Sequence, residues 1–119
     1  MIQALRNGEI VALVADRDLD GDGIPVTMFG HAVTLPAGPA TLAVLTDRPL
    51  MIARSLRTGP DRFAARGWML DTAAREGEDR RARVARITRE MAQRFEEAIA
   101  EAPEQWWAIF QPFWSDQRS

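Results

Sequence analysis

Two groups of side chains in this sequence have the types and spacing to do chemistry. One is the acidic stretch DRDLDGDG at 16–23, and the other is the single histidine, His31. Asp16, Asp18, Asp20 and Gly21 match the opening D-x-D-x-D-G of a calcium-binding EF-hand loop. The remainder of that loop fails. Its twelfth position is Thr27 where a bidentate Glu is required, its eighth is Gly23, Pro25 breaks the exiting helix, and a strand-like run precedes it. A calcium-binding module through Asp16, Asp18 and Asp20 is therefore the minor reading, and a solvated loop is the major one. Asp16 differs from the rest because it ends an apolar run, at the rim where α/β folds place ligands. An ion pair with Arg17 or Arg48 would explain it equally well. His31 as a general base needs an orienting carboxylate, but five positions on stands Pro36, so no H-x-x-x-x-D/E pair exists. A hydrogen-bonded surface histidine is the favoured reading.

The elements that would position these groups follow from the hydrophobic pattern. MIQALRNG (1–8) reads as a helix stopped by Asn7-Gly8. EIVALVA (9–15) reads as a buried strand, of the kind found in parallel sheets. Residues 24–30 form a short extended segment with Pro25 at an edge, and 31–40 a turn-rich lead into a helix. Pro39 fits the first turn of that helix, TLAVLTD (41–47), whose small side chains allow close approach to a sheet. LMIARSL (50–56) reads as a second buried strand, 57–61 as a turn, and 62–70 as an antiparallel return. An exposed connection, 71–79, leads to a long helix from Arg80 to Ala102. Val84, Ile87, Met91, Phe95, Ala98 and Ile99 form its apolar stripe. The order is that of an α/β domain, one that looks cut at its start.

The long helix carries Arg80, Arg81, Arg83, Arg86, Arg89 and Arg94. Such a run is usually a solvated face with i,i+4 pairs, and its alternative use is adsorption to anionic lipid. Beyond Pro103 come Trp106, Trp107, Phe110, Phe113 and Trp114, which suit either core packing or an interfacial anchor. Spacing alone favours the core.

Composition narrows the field. The chain has 119 residues, 46% hydrophobic and 27% charged, which is globular in character and one small domain in size. A net charge of −2 argues against nucleic acid as the partner. The absence of cysteine removes disulfides, thiolate catalysis and zinc–cysteine sites. There is no run apolar enough to span a bilayer and no signal-like start. All 15 basic residues are arginine. Lysine and tyrosine are missing, which matches a GC-rich bacterial genome such as an actinobacterium's.

Taken in order, several segments resemble one family. These are Asp16-Arg17-Asp18, the stretch 26–30, Gly38-Pro39-Ala40 with Leu42-Ala43, Phe95-Glu96 with Ile99, and 102–106. The pattern is similar to the bacterial lysophospholipid acyltransferase-like proteins, which include lipid A late acyltransferases and phosphatidylinositol mannoside acyltransferases. The ending Phe110-Gln111-Pro112-Phe113-Trp114 is similar to the actinobacterial branch. The resemblance implies an α/β sandwich of the glycerolipid acyltransferase type, with a mostly parallel central sheet and a long C-terminal helix. It implies transfer of a fatty acyl group from acyl-CoA to a sugar hydroxyl of a phosphatidylinositol mannoside, at the cytoplasmic face of the cell membrane, by a peripheral protein. It implies no metal and no cofactor beyond acyl-CoA as co-substrate.

The family's H-x-x-x-x-D/E pair belongs to an N-terminal half that this sequence lacks. Residues 1–119 therefore correspond to the C-terminal portion of a single acyltransferase domain, with no catalytic residue of their own and no activity expected alone. Carried over residue by residue, Asp16, Arg17, His31, Gly38 and Pro39 are expected near substrate. Arg80, Arg83, Trp106, Trp107 and Trp114 are expected at the membrane surface. A remnant that only binds lipid or a partner is the alternative.

Overall fold

The computed structural model describes residues 2–13 and 23–103. The first helix, α1 (Ile2–Arg6), ends as its sequence predicts. Gly8 takes φ 84°, and the N–H groups of Asn7, Gly8 and Glu9 return to carbonyls of the preceding turn. After it the expectation fails. Residues 9–13 form no strand, and Ile10 is 96% exposed. An apolar run becomes a buried strand only if a neighbouring strand pairs with it, and none does so among the described residues.

Two antiparallel hairpins replace the expected parallel sheet. β1 (Ile24–Met28) pairs with β2 (His31–Leu35), with Val26 opposite Val33 and Met28 opposite His31. β3 (Met51–Gly59) pairs with β4 (Arg62–Met69), with Ile52 opposite Trp68, and the two hairpins form separate two-stranded sheets. The mostly parallel central sheet is thereby corrected. The reason lies in the connections: two residues join each pair of strands, and so short a link can only reverse the chain. Phe29 and Gly30 make the first turn with φ 51° and 78°. This is the positive-φ geometry that matches strand twist, here without the usual Asn-Gly signal. The expected lead into a helix at 31–40 thus begins as a strand, and the expected strand at 50–56 is present but not buried, with Ile52 its only buried residue.

The helices follow the sequence more closely. α2 (Gly38–Thr46) starts on Pro39, where a missing N–H costs nothing, and ends at Asp47 with φ 55°. It packs mainly on α1 and α3, and Ala40 shares a core cluster with Ile52 of β3. α3 (Arg80–Glu101) is capped by Asp79, whose carboxylate accepts the Ala82 N–H at 2.8 Å. Val84, Ile87, Met91, Ala92 and Ala98 bury its apolar stripe, and Thr88 satisfies its buried hydroxyl by donating to the Val84 carbonyl at 2.8 Å. The core has two lobes along this helix. One gathers Ala40, Ile52, Leu70, Val84, Ile87 and Met91. The other gathers Val26, Met28, Val33, Leu35 and Ala92. Ile24 and Phe95 pack against both.

Candidate functional site

A groove of about 700 Å³ runs along the open edge of β3. One wall is α3, through Met91, Phe95, Ala98, Ile99 and Ala102. Another is β3 at 51–56, and residues 10–13, Pro39, Pro49, Leu50 and Met69 complete it. Arg54 is the single charged side chain among these described lining residues, and its charge is matched. Its Nη2 donates to Glu101 Oε2 at 2.7 Å, its Nε to Oε1 at 3.4 Å and its Nη1 to the Ala64 carbonyl at 3.1 Å. An apolar trough whose described cation is already paired suits hydrocarbon better than an ionic ligand. Among the described residues that line it there is no general base, and Ser55 carries the only side-chain hydroxyl.

The structure brings together several segments that carry the family resemblance. Pro39 is buried and lines the groove, whereas Gly38 is exposed. Phe95 and Ile99 join the groove to the β1–β2 lobe. Beside them, Glu96 Oε1 accepts the Phe29 N–H at 3.0 Å. The turn in 26–30 is thus tied to α3, and Glu96 satisfies a backbone donor of a strained residue. His31 is exposed at the start of β2 and does not line the groove. Asp16, Arg17, Asp18 and Asp20 lie outside the described residues, beginning three positions after the groove residue Leu13. Trp106, Trp107 and Trp114 also lie outside them. No group of three or more potential metal ligands occurs among the described residues, and no described helix is long and apolar enough to cross a membrane.

The arginines of α3 divide in two. Arg83 donates from Nε and Nη2 to the Thr72 carbonyl, at 2.9 and 2.6 Å, and lies 3.9 Å from Asp47. Arg86 donates to Glu78 at 2.7 Å and to the carbonyls of Asp71 and Ala73. These two side chains fasten the 71–79 connection onto the helix. The Arg86 guanidinium, hydrogen-bonded to Glu78, holds that carboxyl below its ordinary value. Asp71 is lowered too, first by the Ala73 N–H and then by Arg75. Arg94 pairs with Glu90 and Glu97. Arg80, Arg81 and Arg89 are exposed, with no ion pair among the described residues.

Sequence reasoning missed the β3 wall and the Arg54–Glu101 pair. The first was read as a buried strand at 50–56, without the open edge and the groove along it. The second joins positions 47 apart and leaves no local pattern.

Comparison with known proteins agrees with the resemblance. The model of the bacterial lipid A biosynthesis acyltransferase family matches residues 1–115, and the chain belongs to that family. A phosphatidylinositol mannoside acyltransferase of Mycobacterium tuberculosis is 35% identical over 120 residues, covering 96% of this chain and 34% of the relative. The protein of the same name from Mycolicibacterium smegmatis is 34% identical over 128 residues, covering 99% of this chain and 38% of its own length. The chain thus spans about a third of the length of the curated relatives it matches.

Proposed function

We propose that the chain forms part of a peripheral enzyme at the cytoplasmic face of the cell membrane, which moves a fatty acyl group from acyl-CoA to a sugar hydroxyl of a phosphatidylinositol mannoside. The observation that carries this reading is the groove. Residues from the segments that resemble the family, Pro39, Phe95, Ile99 and Ala102, wall an apolar trough suited to a fatty acyl chain. In the reaction the sugar oxygen attacks the thioester carbonyl, a C–O bond forms, the C–S bond breaks and coenzyme A leaves as the thiol. The hydroxyl proton passes to a base. His31 lacks the carboxylate five positions on, so the base is expected from the family's N-terminal half. The part proposed for this chain is binding. Its groove takes the acyl tail, and Asp16 and Arg17, just beyond residues 10–13, are proposed to face the reacting end. Arg80 and the tryptophans at 106, 107 and 114 are proposed to meet the membrane, with Arg83 serving the attachment of 71–79 instead.

Displacement of a fluorescent fatty acid tests the reading. Palmitoyl-CoA is expected to compete and free coenzyme A is not. Ala53→Trp, which fills the groove from an exposed position, is expected to weaken binding about tenfold, a loss of about 1.4 kcal/mol. Equal competition by both compounds, or unchanged binding in Ala53→Trp, overturns it. In a transfer assay the 119-residue chain alone is expected to give no product, and a fusion behind the N-terminal portion of the M. tuberculosis relative is expected to give acylated glycolipid.

A further inference from the structure

The groove differs from one end to the other. Its two walls run side by side: Ile52 clusters with Met91, and further along both walls Arg54 bonds Glu101. The first end is lined by Pro39, Pro49, Leu50 and Met91, none of them polar. The other is lined by Arg54, Ser55, Leu56 and Ala102. Pro49 and Leu56 stand about 20 Å apart along extended backbone. An apolar trough with its polar groups at one end orients an amphiphile that enters it.

The polar end offers hydrogen-bond donors, not a bare charge. Arg54 and Arg66 stand opposite each other in register, an arrangement that repels unless a counter-charge answers it. Glu101 answers from the end of α3, 2.7 Å from Arg54 and 4.0 Å from Arg66. A carboxylate in the last turn of a helix is itself poorly placed, and the two guanidinium groups offset that as well. Arg54 is therefore held from both walls, with its side chain 15% exposed. Each of its three nitrogens makes one bond, Nε and Nη2 to Glu101 and Nη1 to the Ala64 carbonyl. Each Nη carries two hydrogens. One N–H on Nη1 and one on Nη2 thus keep no acceptor among the described residues.

We infer that this end of the groove receives the carbonyl end of a single-chain acyl compound, while the tail runs towards Pro39 and Met91. An oxygen acceptor takes the spare N–H groups of Arg54. Glu101 already answers the charge, so a neutral thioester carbonyl suits the site as well as a carboxylate does. The hydrocarbon then lies along Phe95, Ala98 and Ile99, where nothing polar interrupts the α3 wall. The inference rests on the groove reading of the proposed function and adds a direction to it, with Arg54 as the positioning residue.

The chain has no cysteine, so one introduced thiol is unique and marks its position. Leu56→Cys marks the polar end and Pro49→Cys the apolar end, and circular dichroism is expected to show both folded. Each is treated with α-bromopalmitate, whose bromine sits beside the carboxylate, or with the ω-bromo acid of the same length, whose bromine sits at the tail tip. In both cases the thiolate displaces bromide and a C–S bond forms. Rates are taken relative to a small thiol in solution. Leu56→Cys is expected to favour the α-bromo acid about tenfold and Pro49→Cys the ω-bromo acid, the worth of one hydrogen bond from a charged donor. Adding Arg54→Met is expected to bring both preferences within about twofold of equality, and Arg54→Lys, which keeps a charged donor, to preserve them. If Arg54→Met does not fold, the pattern in the two cysteine variants still decides. A reversed pattern, equal rates, no reaction at either thiol, or preferences unchanged by Arg54→Met overturns the inference. If palmitoyl-CoA still displaces the fluorescent fatty acid in those cases, the groove reading stands alone, and if it does not, both fall. The rest of the family's chain is the other candidate for the groove. With the two cysteine variants fused behind the N-terminal portion of the M. tuberculosis relative, the same pattern is expected. Protection of both thiols from both acids in that fusion means that polypeptide fills the groove, and overturns the inference.

Discussion

The molecule builds the same motif twice and uses it in opposite ways. Both hairpins turn on two residues, but β1–β2 lays Val26, Met28, Val33 and Leu35 against α3, all 6% exposed or less. β3–β4 buries Ile52 alone along its strands, half-buries Arg54, Leu56, Gly59 and Trp68, and exposes the rest. The first also has its turn tied down, Phe29 to Glu96. The second has an irregular register near its tip, between Arg57 and Gly59, and is tied to α3 further down, through Arg54 and Glu101. The comparison teaches that strand pairing does not set a hairpin's role. Burial does. The packed hairpin is part of the core, and the open one is a surface with a groove along its edge.

The strongest way to break that contrast is to truncate one methionine in each hairpin. Met28 is fully buried and Met69 is 61% exposed. Met28→Ala is expected to cost about 2–5 kcal/mol, through lost transfer energy and the cavity left behind. Met69→Ala is expected to stay within about 0.5 kcal/mol. Urea denaturation measures both. Similar losses would mean that the open face is covered after all.

Legibility in the sequence followed the same division. α3 was readable because its apolar residues repeat with helical period and Asp79 caps it. The stop after α1 was readable from Asn7-Gly8. The β1–β2 turn was not, because Phe29 takes a positive φ that a bulky side chain disfavours, and only the bond to Glu96, 67 positions away, accounts for its place. At 9–13 the expected strand is absent, and at 50–56 the strand is present but only Ile52 is buried, for another reason. A continuous apolar run signals a surface that wants cover, not whether a parallel neighbour supplies it. Of the groove, the α3 wall was visible in the stripe and in Phe95 and Ile99. The β3 wall needed the topology.

A smaller effect probes how the packed hairpin is held. Glu96→Ala removes the acceptor of the Phe29 N–H and is expected to cost about 1 kcal/mol. Hydrogen exchange at Phe29 should accelerate, and β3–β4 amides should not change. Phe29→Asn keeps the bond and relaxes the backbone, and is expected to gain about 1 kcal/mol. If it loses stability instead, the Phe29 ring contributes more packing than its half-exposed position suggests.

The mildest perturbation is acid, and it should act on only one of the two regions. Glu78 and Asp71 sit in the connection between β4 and α3, and both carboxyls are lowered from ordinary values of 4.5 and 3.8. A lowered group binds fewer protons folded than unfolded. Its stabilisation is therefore complete above the ordinary value and is lost as pH falls through the lowered one. From pH 8 to 5 the attachment of 71–79 is expected to be flat. Below about 4.5 it should loosen progressively, as protonated Glu78 releases Arg86 and protonated Asp71 releases the Ala73 N–H and Arg75. Amide exchange at 71–79 should then rise while the amides of β1 and β2 hold, since neither carboxyl touches that lobe. Glu78→Gln should reproduce part of the loosening at pH 7 and flatten the acid response. Simultaneous loss of protection in both hairpins would mean that the connection and the core open as one unit, and the division between a packed region and an open one would not hold at low pH.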